Sequence, residues 1–434
     1  MQSAKRISIV GSGYVGTTIA ACFADVGHDV VNVDIDEGIV ASLNDGRPPI
    51  HEPGLEELVA EHAGERLRAT TDYAAVRDTD VTFLALPTPA EEDGHIDLSV
   101  MKAGARSLGA ALGEIDGSHV VVTKSTVVPT TTEETIAPIV AEESGMTVGE
   151  DLHVGMNPEF LREGSAVADF LDPDKVVLGA GTDRARESLR STFDPLVEGA
   201  DDPPVIETGI AEAEMIKYAN NGFLAAKISL ANDIANICKE YDIDSEAVLS
   251  AIGLDHRIGS AFLGAGVGWG GSCFPKDVAA IIAAARDVGY EPAMLEAAVE
   301  VNDRQPVRLL ERLREYVDPA GARVAVLGLA FKPGTDDIRN SRAIPLVEAL
   351  SAAGSEIVGY DPVATDNFRA RYPDIDYADS AAAALDGADA ALVVTDWPEF
   401  ADLDGEFDGM STPVVVDGRR IVTRREGIVY ESLV

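Results

Sequence analysis

The residues "GVGWGGSCFPKD", Gly266 to Asp277, combine a glycine run with one thiol and two charges. Cys273 follows the glycines, and Lys276 and Asp277 stand three and four residues after it. A thiolate is the nucleophilic form of cysteine, and a nearby cation stabilises it. The stretch therefore offers a nucleophile with a charge partner and a proton partner. The plainer interpretation is a cysteine that fills a tight corner.

A second candidate lies in "AEMIKYANNG", where Lys217 and Asn221 are four residues apart. On a helix that spacing places both side chains on one face, among small residues that leave the ammonium group partly desolvated. The chain has only nine lysines, which makes this one a candidate for chemistry. The alternative, a surface lysine whose charge reaches water along the helix, carries similar weight.

The opening "ISIVGSGYVGTTIAACFADVGHDVVNVDID" predicts a dinucleotide site. Gly11, Gly13 and Gly16 follow an apolar strand and begin a helix of small residues. The glycines let the backbone approach a pyrophosphate at the helix N-terminus. Asp34 ends the next strand, where a carboxylate binds both ribose hydroxyls. The pattern favours NAD over NADP, because NADP has a phosphate in place of one hydroxyl.

These candidates need α/β elements to position them. Apolar strands in "VTFLALPTP" and "HVVVTKSTV" end in turns rich in Thr, Ser and Pro, and one long helix is predicted over residues 208–240. The tail segments "RVAVLGLAF", "GSEIVGYDP" and "GADAALVVTDWPEF" repeat the order of the head. The sequence thus predicts an α/β fold of two Rossmann-like doubly wound domains joined by a helical middle segment.

The predicted domains are an NAD-binding domain over 1–205, a helical central and dimerisation domain over 206–315, and a second Rossmann-like domain over 316–434. The last has Leu329 and Ala330 where the first has Ser12 and Gly13. Because its glycine pattern is incomplete, we expect it to bind a different ligand, and a nucleotide of the substrate fits that place.

Composition limits the partners and the compartment. With 75 acidic and 34 basic residues the formal charge is -41, which repels nucleic acid and anionic membranes. Such a charge is tolerated where salt screens it, so we expect a halophilic protein. Three scattered cysteines, no metal-binding pattern, no signal peptide and no long apolar run predict a cytoplasmic protein without a metal.

Together these motifs resemble the UDP-glucose/GDP-mannose dehydrogenase family of NAD-dependent nucleotide-sugar dehydrogenases. The resemblance covers the chain through "GSGYVG", "KSTVVPTTT", "NPEFLREGSA", "GVGWGGSCFPKD", "FKPGTDDIRNS" and "DGRR". It implies a four-electron oxidation of a sugar C6 alcohol to a carboxylate with two NAD+. In the family's scheme Cys273 would form a thiohemiacetal and then a thioester, which water hydrolyses.

The resemblance also implies roles for individual residues. The implied catalytic residues are Cys273, Lys217, Asn221, Asp277, Glu159 and Thr126. Implied to bind the cofactor are Gly11, Gly13, Val15, Gly16, Asp34, Thr88, Thr126, Glu163, Lys276 and Arg339. Implied to bind the substrate are Glu159, Phe160, Leu161, Glu163, Lys217, Asn221, Arg257, Phe262, Leu263, Gly266, Gly270, Phe331, Lys332, Arg419 and Arg420. Arg257 matches a position that can act in the partner subunit, which agrees with a homodimer or higher homo-oligomer through the central helix.

The segment "NPEFLREGSA" favours UDP-glucose as the substrate. UDP-N-acetylhexosamine and GDP-mannose remain open, because the implied catalytic residues do not separate them. A catalytically silent nucleotide-binding protein and a two-electron dehydrogenase are remoter alternatives, since neither needs Cys273. One departure concerns the cofactor: relatives often have Lys or Arg five residues after the ribose carboxylate, where this chain has Ile39.

Overall fold

Short runs of β-branched residues alternate with longer segments of helical period, and the chain folds accordingly. The computed structural model describes residues Ala4–Val434, which divide into two compact units, one that ends at Asn220 and one that comprises Asn221–Val434. Each unit contains one largely parallel sheet covered on both faces, the arrangement that buried apolar strands require. The prediction of two Rossmann-like sheets and a helical middle segment is confirmed.

The sheet of the first unit has eight strands in the order β3-β2-β1-β4-β5-β6-β7-β8. Its neighbours pair in parallel except β6 and β7, which are antiparallel. The strands are β1 Arg6–Val10, β2 Asp29–Val33, β3 Leu67–Thr70, β4 Val81–Leu84, β5 His119–Thr123, β6 Leu152–Met156, β7 Val176–Ala180 and β8 Val205–Thr208. The helices are α1 Tyr14–Asp25, α2 Glu37–Asn44, α3 Leu55–His62, α4 Ser99–Leu112, α5 Ala137–Ser144, α6 Ala166–Leu171 and α7 Asp183–Gly199, with a 3-10 turn at Tyr73–Asp78 and a π turn at Thr132–Ile136.

Alternate residues of the central strands supply two cores, one on each face of this sheet. Ile7 and Ile9 of β1 belong to one core, and Val10 belongs to the other. This alternation is the period of two that a strand imposes, and it leaves the carboxyl ends of the strands as the edge where turns carry polar residues.

The second unit repeats the order in a six-stranded parallel sheet, β11-β10-β9-β12-β13-β14. Its strands are β9 Arg323–Leu327, β10 Glu356–Tyr360, β11 Asp376–Tyr377, β12 Ala390–Val393, β13 Val414–Asp417 and β14 Val429–Ser432. Its helices after the central one are α9 Ser245–Gly253, α10 Phe274–Asp287, α11 Ala293–Arg314, α12 Ala343–Ala353, α13 Thr365–Arg371, α14 Ala381–Leu385 and α15 Pro398–Ala401, with a 3-10 turn at Gly405–Gly409.

The predicted long helix is α8, Ile210–Glu240, of 31 residues. It begins two residues later than the predicted 208, because Thr208 is the last residue of β8 and pairs with Gly179 of β7. A run of this length without internal proline is too long for a crossover between adjacent strands. In the described part of the chain, no helix is long and apolar enough to cross a membrane.

Candidate active site

The glycine loop after β1 has the geometry that a pyrophosphate needs. A Cβ atom on Gly16 would lie 2.0 Å from the carbonyl oxygen of Gly11, so that position admits only glycine. At Gly13, by contrast, an added Cβ would meet no atom within 4 Å. Since Gly13 is exposed and directly precedes α1, the open space lies at a helix N-terminus, where an anion is stabilised.

Asp34 lies at the carboxyl end of β2, next to that loop. Its carboxylate accepts hydrogen bonds from Ser12 N at 2.6 Å and from Asp36 N at 3.0 Å. The residue is half-buried, so its remaining lone pairs can accept the two hydroxyls of a ribose. Val15 and Ile39 are also half-buried, and Ile39 packs against the core beside β1. The loop and this carboxylate together fit an adenine dinucleotide.

The turns after the next two strands continue the same edge of the sheet. Thr88, after β4, donates its hydroxyl to the carbonyl oxygen of Thr126, after β5, at 3.0 Å. Both threonines are buried. Glu163 lies further on, in the turn between β6 and α6, and is half-buried. The cofactor residues predicted in the first unit therefore all lie on turns at the carboxyl ends of its strands or at the helix that follows.

A buried ion pair occupies this edge beside α8. Lys217 Nζ lies 2.8 Å from Glu159 Oε1, and the two side chains are 5% and 9% exposed. Glu159 Oε2 accepts from Leu161 N at 2.7 Å. Burial alone would raise the pKa of Glu159, but Lys217, this N–H group and the charge of Lys124 together hold it below its usual value. Glu159 is thus an anion that fixes the ammonium group of Lys217.

Aromatic and cationic groups surround this pair. The ring of Phe160 lies 5.5 Å from Lys217 Nζ and 4.2 Å from Lys175 Nζ, measured to its centroid. Lys175 also donates to Asn220 Oδ1 at 3.1 Å. Contacts of this kind favour a cation over the ring face and keep Phe160 in a fixed position beside Glu159.

Lys124 is a buried cation that the motifs did not single out. It follows β5, is 3% exposed, and donates from Nζ to Asn157 Oδ1 at 2.6 Å. Burial, reinforced by Lys217 and opposed by Glu159, lowers the pKa of Lys124 to about 7. The available signal was the rarity of lysine in this chain together with its place at the end of an apolar strand.

In the second unit the thiol stands at the start of α10. Cys273 directly precedes the helix and is exposed, and its sulfur lies 3.6 Å from Ser272 Oγ. The positive end of a helix stabilises an anion placed there. Cys22 and Cys238 are buried, where a thiol packs as a small apolar side chain.

The first turn of α10 carries a buried carboxylate with two donors. Asp277 is 2% exposed. Its Oδ2 accepts from Asn221 Nδ2 at 2.6 Å, and its Oδ1 lies 2.5 Å from Lys276 Nζ. Three of the predicted catalytic and charged residues are therefore joined in one hydrogen-bonded chain, one turn of helix beyond the thiol.

Buried amides hold the glycine run that leads to Cys273. Gly266 N donates to Asn232 Oδ1 at 2.7 Å, and Gln305 Nε2 donates to Gly266 O at 2.7 Å. Asn302 accepts from Trp269 N at 2.7 Å and donates to Trp269 O at 3.1 Å. Asn232, Asn302 and Gln305 were missed from the sequence, because single polar residues within amphipathic helices carry no local signal.

The same run packs on the turn after β9. A Cβ atom on Gly270 would lie 2.1 Å from Asn340 O, and one on Gly271 would lie 2.7 Å from the Phe331 ring. Lys332 Nζ lies 5.5 Å from the centroid of that ring. The structure thus brings together three of the predicted substrate residues, Gly270, Phe331 and Lys332.

Three predicted substrate residues line a cavity of about 320 Å³ in the second unit: Leu263, Arg419 and Arg420. Arg419 donates from Nε to Val394 O at 2.7 Å. Arg420 donates to Ser245 Oγ at 2.9 Å and to Asp244 Oδ1 at 3.0 Å. The guanidinium group of Arg420 is thus directed to the start of α9.

Two other predicted arginines are held by neighbouring aspartates. Arg257 is exposed and pairs with Asp255 at 2.6 Å, and Arg339 is exposed and pairs with Asp337 at 2.6 Å.

Phe262 is exposed and has a φ of 62°, a conformation that costs free energy for a bulky side chain and recurs at functional loops. Among the described residues, no group of three or more His, Cys, Asp or Glu could hold a metal ion.

Comparison with known proteins identifies the same three segments. Residues 5–197 match the NAD binding domain of the UDP-glucose/GDP-mannose dehydrogenase family, 211–304 its central domain and 325–424 its UDP binding domain. The chain is 71% identical over 429 residues to UDP-glucose 6-dehydrogenase AglM of Haloferax volcanii, covering 99% of this chain and 100% of that one. It is 44% identical to UDP-glucose 6-dehydrogenase of Rhizobium meliloti, covering 99% of each chain.

Solved structures agree. A UDP-glucose dehydrogenase from the archaeon Pyrobaculum islandicum superposes with a TM-score of 0.93 at 41% identity, covering 100% of this chain and 98% of that one. A UDP-D-ManNAc dehydrogenase from Pyrococcus horikoshii superposes with a TM-score of 0.87 at 27% identity, covering 99% of each chain. The chain belongs to the UDP-glucose/GDP-mannose dehydrogenase family, whose members are NAD-dependent dehydrogenases.

Proposed function

We propose that this enzyme oxidises UDP-glucose at C6 to UDP-glucuronic acid. The observation that carries the proposal is Cys273, an exposed thiol at the start of α10, next to the buried chain of Asn221, Asp277 and Lys276. A thiol is needed only if the aldehyde must be held for a second oxidation. The full-length identity to UDP-glucose 6-dehydrogenases supports the choice of sugar.

The first oxidation uses the buried ion pair. Bound NAD+ would supply the hydride acceptor for C6, with one cofactor molecule for each of the two oxidations. Lys217, in its neutral form, receives the proton of the C6 hydroxyl, and Glu159, at 2.8 Å, stabilises the ammonium group that results. The glycine loop and Asp34 would hold the cofactor, with Thr88 and Thr126 on the same edge.

The second oxidation proceeds on the enzyme's thiol. Cys273 attacks the aldehyde carbon and forms a C–S bond, so C6 carries one hydroxyl and one thioether. Asn221 donates to the oxygen at C6. Loss of the second hydride and of the hydroxyl proton leaves a thioester, and water attacks its carbon. The C–S bond then breaks, which releases the carboxylate and restores the thiol, while Asp277 assists the proton transfers and Thr126 positions the water.

A panel of nucleotide sugars tests the substrate. UDP-glucose, UDP-N-acetylglucosamine, UDP-N-acetylmannosamine and GDP-mannose are each supplied with NAD+, and the rate of NADH formation is followed. We expect UDP-glucose to give the highest kcat/KM. A higher value for GDP-mannose or for an acetamido sugar would overturn the choice of sugar.

Replacement of the thiol tests the mechanism. Cys273→Ser should abolish steady formation of the acid, because a serine hydroxyl is not ionised at neutral pH and is then a poor nucleophile, and because an ester is hydrolysed more slowly than a thioester. Cys238→Ser, a buried cysteine on α8, is the matched control and should retain activity. Undiminished acid production by Cys273→Ser would contradict the mechanism.

We further propose that the active enzyme is a dimer built on α8. Phe223, Leu230 and Ile237 are 72%, 60% and 53% exposed and recur every seven residues. A helix with such an apolar stripe requires a partner surface. Leu230→Asp should therefore yield monomers in light-scattering measurements, whereas Val429→Asp, at an exposed apolar position on β14, should leave the mass unchanged.

We also propose that the protein functions at high salt concentration. The charge of -41 and the relative in Haloferax volcanii support a protein whose folded state needs screening of its self-repulsion. The melting temperature should rise between low and molar KCl. A melting temperature that is the same in both conditions would contradict this.

A further inference from the structure

Lys124 lies at a place where lysine is costly. The residue follows β5 and is 3% exposed, although the charged head of a lysine ordinarily reaches water. Its Nζ donates to Asn157 Oδ1 at 2.6 Å and lies 3.5 Å from Pro158 O. A side chain needed only to fill space would be apolar, since methionine has nearly the same length without the cost of desolvation.

The contacts of Lys124 lead directly to Glu159. Asn157 N donates to Thr123 O at 3.0 Å, and Asn157 Nδ2 donates to Val177 O at 2.9 Å. The amide oxygen of Asn157 therefore remains for Lys124, which closes the turn that follows β6. Two residues after Asn157, Glu159 meets Lys217 at 2.8 Å.

We propose that Lys124 is a positioning residue of this enzyme, whose ammonium group fixes the turn that carries Glu159 and so the direction in which Glu159 meets Lys217. The inference rests on the proposed function, in which Lys217 receives the C6 proton. A change of even 1 Å in the placement of a reacting group can cost about a hundredfold in rate, so the anchor of this turn affects kcat although it does not touch the substrate.

The charge of Lys124 also acts on the same pair. Among the described residues, the charged groups that act on Lys124 are Glu159, on the turn after β6, and Lys217, on α8. Glu159 attracts the charged form of Lys124 and Lys217 repels it, because opposite charges attract and like charges disfavour each other. Removal of this charge therefore changes the electrostatic field around the ion pair as well as the hydrogen bond to Asn157.

Two uncharged variants separate these effects. Lys124→Met removes the donor and the charge, whereas Lys124→Gln retains an amide donor for Asn157 but no charge. Lys102→Met, on α4 and away from this turn, is the matched control. We measure kcat and KM for UDP-glucose and NAD+, and the melting temperature in molar KCl.

We expect Lys124→Met to lose about tenfold to a hundredfold in kcat with little change in either KM, and Lys124→Gln to recover part of that loss. The melting temperature should stay above the assay temperature in both variants, because removal of a buried charge offsets the donor that Asn157 Oδ1 loses.

Wild-type kcat in both variants would overturn the inference, and so would a loss in Lys124→Met that Lys124→Gln does not recover in part. It would also be overturned if kcat fell only in step with the folded fraction, as for a residue that merely supports the fold. The proposed function has a separate test: wild-type enzyme that does not oxidise UDP-glucose contradicts that function whatever the Lys124 variants do.

Discussion

The two sheets share a strand order but differ at the residue that would bind a ribose. In the first sheet β1 lies between β2 and β4, and in the second sheet β9 lies between β10 and β12 in the same way. In the first sheet β2 is followed by Asp34, and in the second β10 is followed by Asp361. Asp34 is half-buried and accepts from two backbone N–H groups, whereas Asp361 is 2% exposed.

Asp361 is saturated by the protein's own donors. Its Oδ2 accepts from Leu329 N at 2.8 Å, Ala330 N at 3.0 Å and Trp397 Nε1 at 3.0 Å. Its Oδ1 accepts from the N–H groups of the two residues at the start of the following turn, Val363 and Ala364. A carboxylate with five donors has no capacity left for ribose hydroxyls. The difference shows that one topology can serve as a dinucleotide site or as a scaffold. Which of the two it is depends on whether the protein's own donors saturate one carboxylate.

Of the substitutions compared, Asp361→Asn should have the largest effect, and that effect should be on the free energy of unfolding. The amide group can accept on one side only, so two or three buried donors lose their acceptor, at a cost of about 2–4 kcal/mol in the free energy of unfolding. Denaturant unfolding in molar KCl measures it. The KM for NAD+ should not change, and a raised KM would mean that the second sheet takes part in cofactor binding.

Asp34→Asn should have the converse effect. The loss of charged hydrogen bonds to the ribose should raise the KM for NAD+ about tenfold to a hundredfold, with little change in unfolding because the residue is half-buried. Steady-state kinetics at saturating UDP-glucose measures this. If the KM stayed at the wild-type value, Asp34 would not be the ribose ligand.

Gly13→Ala sharpens the comparison within the glycine loop, since alanine is already present at the equivalent Ala330. The new methyl group meets no atom within 4 Å in the protein, so folding should be unaffected. It would occupy space that the pyrophosphate needs, and we expect a rise in the KM for NAD+ of about tenfold. The control is Gly16→Ala, whose methyl group would lie 2.0 Å from Gly11 O and should lower the melting temperature.

Ile39→Arg should have the smallest effect. It supplies the cation that relatives often place five residues after the ribose carboxylate, at a half-buried position on α2. A cation at such a site is worth up to about 1 kcal/mol, so the KM for NAD+ should fall about twofold to fivefold at low salt. The gain should diminish in molar KCl through screening, and a gain that persisted there would indicate a contact other than charge.

The fold followed from the sequence because its signals are local. The period of two in β1, the glycines after it and the uninterrupted helical period of α8 each lie within one short segment. The start of α8 did not follow from the sequence. Threonine is a residue type that caps helices, but Thr208 belongs to β8 because it pairs with Gly179, a residue that is distant in sequence.

The site followed only in part from the sequence. Motif spacing predicted Lys217 beside a functional surface, but not the ion pair with Glu159, whose position depends on the turn after β6. A lysine at the end of a strand is usually exposed, and only the contact of Lys124 with Asn157 shows why this one is buried. The donors to Asp361 come from three separate segments, so a saturated carboxylate and an open one look alike in sequence.

The number of NADH molecules formed per UDP-glucose tests the central claim most directly. With UDP-glucose limiting and NAD+ in excess, the reaction is run to completion and the absorbance of NADH is compared with the sugar consumed. Two hydride transfers at one site through Cys273 predict two NADH for each UDP-glucose, with no aldehyde detected in solution. One NADH for each UDP-glucose, with accumulation of the aldehyde, would contradict the account.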